Sequence, residues 1–254
     1  MMIDHLKARD LDEAHTPKAI AKRLSSTTSH SYLGDFVLGA IDGTVTTFAV
    51  VSGVAGAQLS HSVALVLGVA NLVADGFSMA VGNYLSSKAE RHVVDRVRMV
   101  ESHHIDKVPD GEREEVRQIF AAKGFQGELL EQAVSIITED RHRWIDTMVT
   151  EEFGLQLETP SPFRAALTTY FAFIVAGFVP LLPLCLMRGR DGHVFLTSAL
   201  ATCVTFLVVG LIKGHVVGRS KGVSGLETLL VGSTAAAIAY LAGTVLKGLL
   251  RGVV

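Results

Sequence analysis

Five stretches of the chain are apolar over about the length that a helix needs to cross a lipid bilayer. The predicted membrane helices are Leu33–Ala57, Val63–Leu85, Ala165–Met187, Val194–Ile212 and Leu226–Leu246. No breaker follows Leu85 until beyond Ile105, so the second helix should continue out of the bilayer. Pro180 should kink the third helix. The pattern predicts an all-α membrane protein with five transmembrane helices.

A polar segment, residues 86–160, separates the second apolar stretch from the third. Pro109 and Gly111 should end the long helix, and Asp110 is a plausible N-cap for a short helix that ends near Lys123. A further helix is predicted over Glu128–Phe153. The segment is therefore a three-helix insertion between residues 33–85 and 161–254, and residues 1–32 form an N-terminal arm.

Charge is concentrated in the insertion, where residues 88–158 carry 16 Asp and Glu against 10 Lys and Arg. The local charge of −6 (10 − 16) favours cations as partners over nucleic acid. Basic residues are more frequent on the side of the N-terminus and insertion, which predicts that both are cytoplasmic. Cys185 and Cys203 lie in apolar stretches with no CxxC pair, so neither a thiolate zinc site nor a disulfide framework is indicated.

Acids within the apolar stretches are candidates for an ion path, because a carboxylate at the bilayer centre costs at least about 2.5 kcal/mol. Asp42 lies deep in the first helix beside Gly43, and Asp35 lies near its cytoplasmic end. The second helix adds three further candidates, Asn71, Asp75 and Met79. The alternative is a buried acid with only a structural role, and Asp35 is either an entrance charge or solvated.

The insertion carries a second set of potential ligands. At 100° per residue Glu90, Glu101 and His104 share one face of the long helix, and Glu101 with His104 could hold one ion. Met148 and Glu152 share a face of the last helix. Carboxylate, imidazole and thioether together suit Fe²⁺, Mn²⁺, Zn²⁺ or Co²⁺. The alternatives are a solvated helix face and, for Met148, a place in the core.

Small residues recur at four-residue spacing, which lets helix backbones approach closely. The rows are Gly39/Gly43, Gly210/Gly214/Gly218 and Gly232/Ala236. They fit packing within one chain or a seam between two copies. Five helices are few for a transport path within one subunit, which favours a homodimer.

Four ordered motifs carry a resemblance to a known family: DGTVTTFAVVSGVAGA, ADGFSMAVGNYLSSKAE, VPDGEREEVRQIFAAKGF and DRHRWIDTMVTEEFGL. They resemble the vacuolar iron transporter family. The resemblance implies a five-span homodimer that carries Fe²⁺, and often Mn²⁺, out of the cytosol in exchange for protons. It also implies a cytoplasmic metal-binding domain and an ion path at the dimer interface. By motif position it assigns metal-site roles to Asp42, Met79, Glu90, Glu101, Met148 and Glu152.

The chain departs from the family's plant members at four positions. Those members have glutamates where this chain has Asn71, Val93 and His104, and a methionine where it has Val149. The soluble site therefore has fewer carboxylates and gains an imidazole. Asp75 is a candidate to replace the carboxylate missing at Asn71.

These observations predict a proton-coupled exporter of Fe²⁺ or Mn²⁺ with no tightly bound cofactor and no enzymatic activity, since neither HExxH nor GxSxG occurs. The rival is a membrane-anchored metal sensor or storage-delivery protein without transport. The expected partners are a second copy, the bilayer, divalent metal ions and protons. The expected location is a bacterial plasma membrane, or the vacuolar membrane in a eukaryote.

Overall fold

The computed structural model describes residue 11 and residues 13–25, 31–186 and 193–250. Its elements in chain order are α1 (Pro17–Ser25), α2 (Leu33–Gly56), α3 (His61–Lys107), α4 (Pro109–Ala122), α5 (Gly127–Glu139), α6 (Arg141–Glu151), α7 (Pro162–Phe178), a 3₁₀ turn (Val179–Leu181), α8 (Leu182–Leu186), α9 (Val194–Val216) and α10 (Lys221–Leu250). The described part of the chain contains no strand.

In the described part of the chain, five helical stretches are long and apolar enough to cross a membrane: α2, α3, α7 with α8, α9 and α10. The predicted all-helical chain with five spans is therefore confirmed. Helix α10 begins at Lys221, five residues before the predicted start. The predicted end of the third span at Met187, the basic residues Arg188, Arg190 and Arg251, and half of the 1–32 arm lie outside the described residues.

The chain divides into two compact units, one of residues 1–83 with 163–254 and one of residues 84–162. We call them the membrane unit and the soluble unit. Helix α3 contributes residues to both units. Its 47 residues correspond to about 70 Å at 1.5 Å per residue, more than twice the thickness of a hydrocarbon core. Only part of α3 can therefore lie in a bilayer.

Glycines of the predicted small-residue rows pack against other helices of the same chain. A Cβ on Gly39 or Gly43 would collide with the backbone of Thr169 or Phe173 on α7. A Cβ on Gly210 would meet the backbone of Ser224 on α10, and one on Gly214 would meet the Cβ of Ser224. Gly232 lies against the ring of Phe206 on α9. These positions therefore serve packing within one chain, and the rows give no separate argument for a seam between copies.

Pro180 interrupts the third span as expected. Helix α7 ends at Phe178, the 3₁₀ turn follows, and α8 resumes at Leu182. The Oγ of Ser198 on α9 donates to the Pro180 carbonyl oxygen at 2.6 Å, so this carbonyl gains a partner outside its own helix. The break is thereby tied to α9.

The soluble unit has its own apolar core, which α3, α4, α5 and α6 all supply. The buried members are Val94, Ile105, Val116, Val134, Trp144, Ile145, Met148 and Val149. A single helix over Glu128–Phe153 was expected, and this prediction is wrong. Asp140 is extended, and its Oδ1 accepts from the backbone N–H of Arg143 at 2.8 Å, so α6 begins with its own N-cap.

The predicted N-cap at Asp110 is also wrong. The cap position is Val108, Pro109 is the first helical residue, and Asp110 lies within the first turn of α4. Proline fits this position because the first N–H of a helix lacks an intrahelical partner in any case. Gly124, at φ +99°, follows the end of α4 in the left-handed conformation that glycine favours.

Candidate metal centre

A carboxylate–imidazole group lies where α3 turns into α4. Val108 alone separates the two helices, and its N–H donates to the His104 carbonyl oxygen at 2.7 Å. The first turn of α4 therefore lies beside the last turns of α3. Glu101 and His104, one turn apart on α3, meet Glu112 of α4 there.

The three side chains are close enough to share one ion. The Nδ1 atom of His104 lies 3.4 Å from Oε1 of Glu112 and 3.8 Å from Oε1 of Glu101. One ligand atom from each residue lies within 4.8 Å of the other two. Ligands held at about 2.0–2.2 Å from a metal are at most about 4.4 Å apart, so small rotations suffice.

The carboxylates are buried and incompletely paired. Glu101 is 1% exposed and Glu112 is 3% exposed. The Oε2 atoms of both are buried without a hydrogen-bond partner among the described residues. A buried carboxylate oxygen left unpaired carries a large desolvation cost, and a bound cation removes it. The group therefore has the form of a cation site.

Two further glutamates, Glu115 and Glu152, lie close enough to influence the pKa values of the group. Burial, followed by the charges of Glu112 and Glu152, raises the pKa of Glu101 to about 8. Burial and then the charge of Glu115 raise the pKa of Glu112 and also that of Glu152. Among the described residues no Lys or Arg forms a salt bridge with any of these four glutamates. A divalent cation would supply the missing positive charge.

Sequence reasoning identified Glu101, His104 and Glu152 but missed Glu112 and Glu115. The missed pair has the same i, i+3 spacing as Glu101 and His104, on the other side of the Pro109 turn. Two such pairs on either side of a tight turn were the sequence feature that could have indicated the site. Whether the two pairs meet depends on the angle between α3 and α4, which the spacing does not give.

The other predicted residues of the soluble unit lie elsewhere. Glu90 is exposed, eleven residues before Glu101, and does not join the carboxylate–imidazole group. Met148 is fully buried in the apolar core beside Val116 and Trp144. Packing therefore accounts for Met148 without a metal.

In the membrane unit, Asp42 is half-buried and lies within range of the charge of Asp75. Asp75 is exposed on α3. Met79, one turn further along, packs against the apolar core of this unit. The side-chain nitrogen of Asn71 is buried with no partner among the described residues. The structure thus brings Asp42 near one of the predicted candidates of α3.

Asp35 belongs to a separate polar cluster in the membrane unit. The Nδ2 of Asn83 donates to Asp35 Oδ1 at 2.7 Å and to Thr169 Oγ1 at 2.6 Å. The hydroxyl of Thr169 also lies 3.4 Å from the Asp35 carbonyl oxygen. Neither Asn83 nor Thr169 was singled out from the sequence. Asp35 is therefore hydrogen-bonded between helices.

The five long apolar helices define an integral membrane protein. The model of the VIT family matches residues 33–244, and the chain belongs to that family. It is 34% identical over 209 residues to the "Vacuolar iron transporter" of Centaurea cyanus, covering 81% of this chain and 84% of that protein. It is 33% identical over 217 residues to "Vacuolar iron transporter 1" of Arabidopsis thaliana, covering 84% of this chain and 85% of that protein. Family and relatives together support metal-ion transport across a membrane.

A relative with longer coverage gives the same result. "Vacuolar iron transporter 2" of Oryza sativa subsp. japonica is 31% identical over 240 residues, which is 93% of this chain and 94% of that protein. The similarity therefore extends through the membrane helices and the soluble unit alike.

Proposed function

We propose that the protein exports Fe²⁺ from the cytosol in exchange for protons, with Mn²⁺ as a second candidate cargo. The observation that carries this proposal is the buried group of Glu101, His104 and Glu112 with its unpartnered carboxylate oxygens. The soluble unit faces the cytoplasm and collects the ion. The ion then passes along a path that includes Asp42 and Met79 at the interface of a homodimer.

The donor set suits a transition ion as transported substrate. Imidazole and carboxylate together bind Fe²⁺ well, and Glu152 and Glu115 add negative charge close by. The carboxylates must lose their protons to bind metal, so protons and metal compete for the same oxygens. The collecting site should therefore load near neutral pH and release its ion as the pH falls.

The same competition couples the membrane path to protons. Asp42, with Asp75 in electrostatic range, holds the dehydrated ion. A proton then neutralises the carboxylate when the ion leaves, because an unpaired charge in hydrocarbon is costly. Asp75 supplies the second carboxylate that Asn71 lacks.

The homodimer accounts for an acid that one chain leaves uncovered. Asp75 is exposed on α3, although ionisable side chains in membrane helices almost always face a protein interior or a water-filled cavity. A second copy against this face encloses Asp75. The ion path then runs between the two protomers.

The basic residues near the ends of the spans support a cytoplasmic orientation of the soluble unit. The described residues on that side include Lys18, Lys22, Arg23, Arg164, Lys213, Arg219 and Lys221. The protein requires no resident cofactor and catalyses no covalent reaction. Either a bacterial plasma membrane or a vacuolar membrane fits this orientation.

A membrane-anchored metal sensor is the second candidate. Glu101, His104 and Glu112 all lie within residues 84–162, so metal binding alone requires nothing from the membrane unit. The two functions differ in whether metal crosses the bilayer.

Anaerobic Fe²⁺ uptake into proteoliposomes that enclose calcein tests the proposal. With an acidic interior, wild type should quench calcein faster than without a pH gradient. Asp42→Asn should abolish the flux, and Asp110→Asn, on an exposed carboxylate that pairs with Arg113, should not. An Fe²⁺ flux of equal rate with and without the pH gradient would exclude proton exchange. Metal binding without any flux would favour the sensor.

A further inference from the structure

We propose that His104 sets the metal preference of the collecting site, selecting Fe²⁺, Co²⁺ and Zn²⁺ over Mn²⁺, Mg²⁺ and Ca²⁺. This inference rests on the proposed function, in which the site binds a divalent ion. It answers a question that the oxygen ligands leave open, because carboxylates accept all six ions. It assigns the discrimination to one side chain.

The geometry places one imidazole nitrogen toward both buried acids. The Nδ1 atom of His104 is within 3.8 Å of a carboxylate oxygen on Glu101 and on Glu112. Among the described residues, His104 supplies the sole nitrogen donor in this group. A bound ion that uses both carboxylates therefore meets this nitrogen.

His104 is the exposed member of the group. Its side chain is 48% exposed, whereas those of Glu101 and Glu112 are 2% and 3% exposed. The carboxylates are thus almost fully buried, whereas about half of the imidazole is accessible to solvent. An ion that contacts both carboxylates exchanges part of its water shell for protein ligands.

Ligand chemistry then separates the ions. Imidazole suits Fe²⁺, Co²⁺, Ni²⁺ and Zn²⁺, and their affinity for a site that contains nitrogen exceeds that of Mn²⁺. Ca²⁺ requires six to eight oxygen ligands, and Mg²⁺ releases water reluctantly. A site of two carboxylates and one imidazole therefore penalises the three ions that prefer oxygen.

The neighbouring His103 provides a matched control. It is adjacent in sequence, on the same helix and exposed, yet it does not belong to the group. At 100° per residue its side chain points to a different face of α3. His103→Glu therefore makes the same change in charge and composition without altering the ligand set.

Competition binding on the full-length protein in detergent tests the inference. We would measure dissociation constants for wild type, His104→Glu and His103→Glu. The ions are Co²⁺, Zn²⁺, Mn²⁺ and Mg²⁺, with Fe²⁺ measured under anaerobic conditions. In wild type and His103→Glu, Zn²⁺ and Co²⁺ should bind at least about tenfold more tightly than Mn²⁺. In His104→Glu this ratio should fall by about tenfold or more.

A second variant guards against misfolding, because a fifth glutamate could destabilise the cluster. His104→Gln adds no charge, and it should weaken Zn²⁺ and Co²⁺ binding more than Mn²⁺ binding. X-ray absorption of bound Zn²⁺ should show imidazole scattering in wild type and His103→Glu but not in the His104 variants.

The outcomes separate this inference from the proposed function. An unchanged preference in folded His104 variants that still bind metal would overturn the inference and leave the collecting site intact. Failure of wild type to bind any of these ions would overturn the collecting site itself. Loss of the Zn²⁺ preference only in the His104 variants supports both the collecting site and the role of His104 in metal selection.

Discussion

The side-chain nitrogen of Asn83 lies 2.7 Å from Asp35 Oδ1 and 2.6 Å from Thr169 Oγ1, which joins α3 to both α2 and α7. Thr169 is fully buried, so this amide satisfies polar groups that apolar surroundings would otherwise leave unpaired. Within the membrane unit, the arrangement ties three spans together at one level. It also fixes the position of Asp35, which the sequence suggested as a candidate entrance charge.

Asn83→Leu should lower the stability of the full-length protein in detergent by about 1–2 kcal/mol, because Asp35 and Thr169 both lose a donor. The midpoint of thermal unfolding, compared at one scan rate, measures the effect. Asn71→Leu is the matched control. The Asn71 nitrogen has no partner among the described residues, so this change should be neutral or stabilising. Equal losses in both variants would contradict the structural role of Asn83.

Glu112→Gln should weaken divalent-metal binding by about 10- to 100-fold. The substitution keeps the volume of the side chain but removes one of the two buried carboxylates around His104. Glu114→Gln is the control, because Glu114 lies on the same helix and pairs with Arg117 instead. Isothermal titration of the full-length protein with Co²⁺ or Zn²⁺ measures both constants. Wild-type affinity in Glu112→Gln would remove this residue from the site.

The metal-free protein should lose stability as the pH rises toward and through about 8. The pKa of Glu101 is about 8 in the folded protein, against an ordinary value of 4.5. The folded state therefore binds the proton more tightly than the unfolded state. The stabilising contribution of Glu101 is complete below about pH 4.5 and is lost as the pH rises through its pKa in the folded protein.

Unfolding midpoints between pH 5 and pH 9, measured with a chelator present, test this pH dependence. Glu101→Gln should decline less steeply over this range than wild type, because the amide does not ionise. Asp110→Asn, on an exposed carboxylate, should follow the wild-type curve. Saturating Zn²⁺ should flatten the wild-type profile, since the ion neutralises the deprotonated acids. Parallel curves for wild type and Glu101→Gln would refute the assigned cause.

Gly43→Ala should destabilise the protein by about 1–3 kcal/mol. The new Cβ would meet the Cα of Phe173 at 2.9 Å, so α2 and α7 would have to separate. Gly82→Ala is the control, because a Cβ there meets nothing within 4 Å and alanine favours the helix. Thermal unfolding in detergent distinguishes the two. A stable, fully folded Gly43→Ala protein would show that this helix contact can relax.

The pattern of apolar residues predicted the five spans because the requirement for about 20 apolar residues per crossing is a local property. The break at Pro180 is local as well, since the proline ring acts on its own helix. The i, i+3 relation of Glu101 and His104 follows from helix geometry alone. Family membership and the Fe²⁺ transport hypothesis rested instead on four ordered sequence motifs that resemble the vacuolar iron transporter family.

Relations between elements required the tertiary structure. Glu112 joins His104 only because a single residue, Val108, connects α3 to α4 and sets their angle. The break between α5 and α6 depends on Asp140, whose side chain caps the start of α6. The local sequence is compatible with this cap and also with one continuous helix, so it did not reveal the break. The amide of Asn83 finds Asp35 and Thr169 at separations of 48 and 86 residues. Periodicity specifies which face of a helix a residue occupies, but only packing specifies which other helix that face meets.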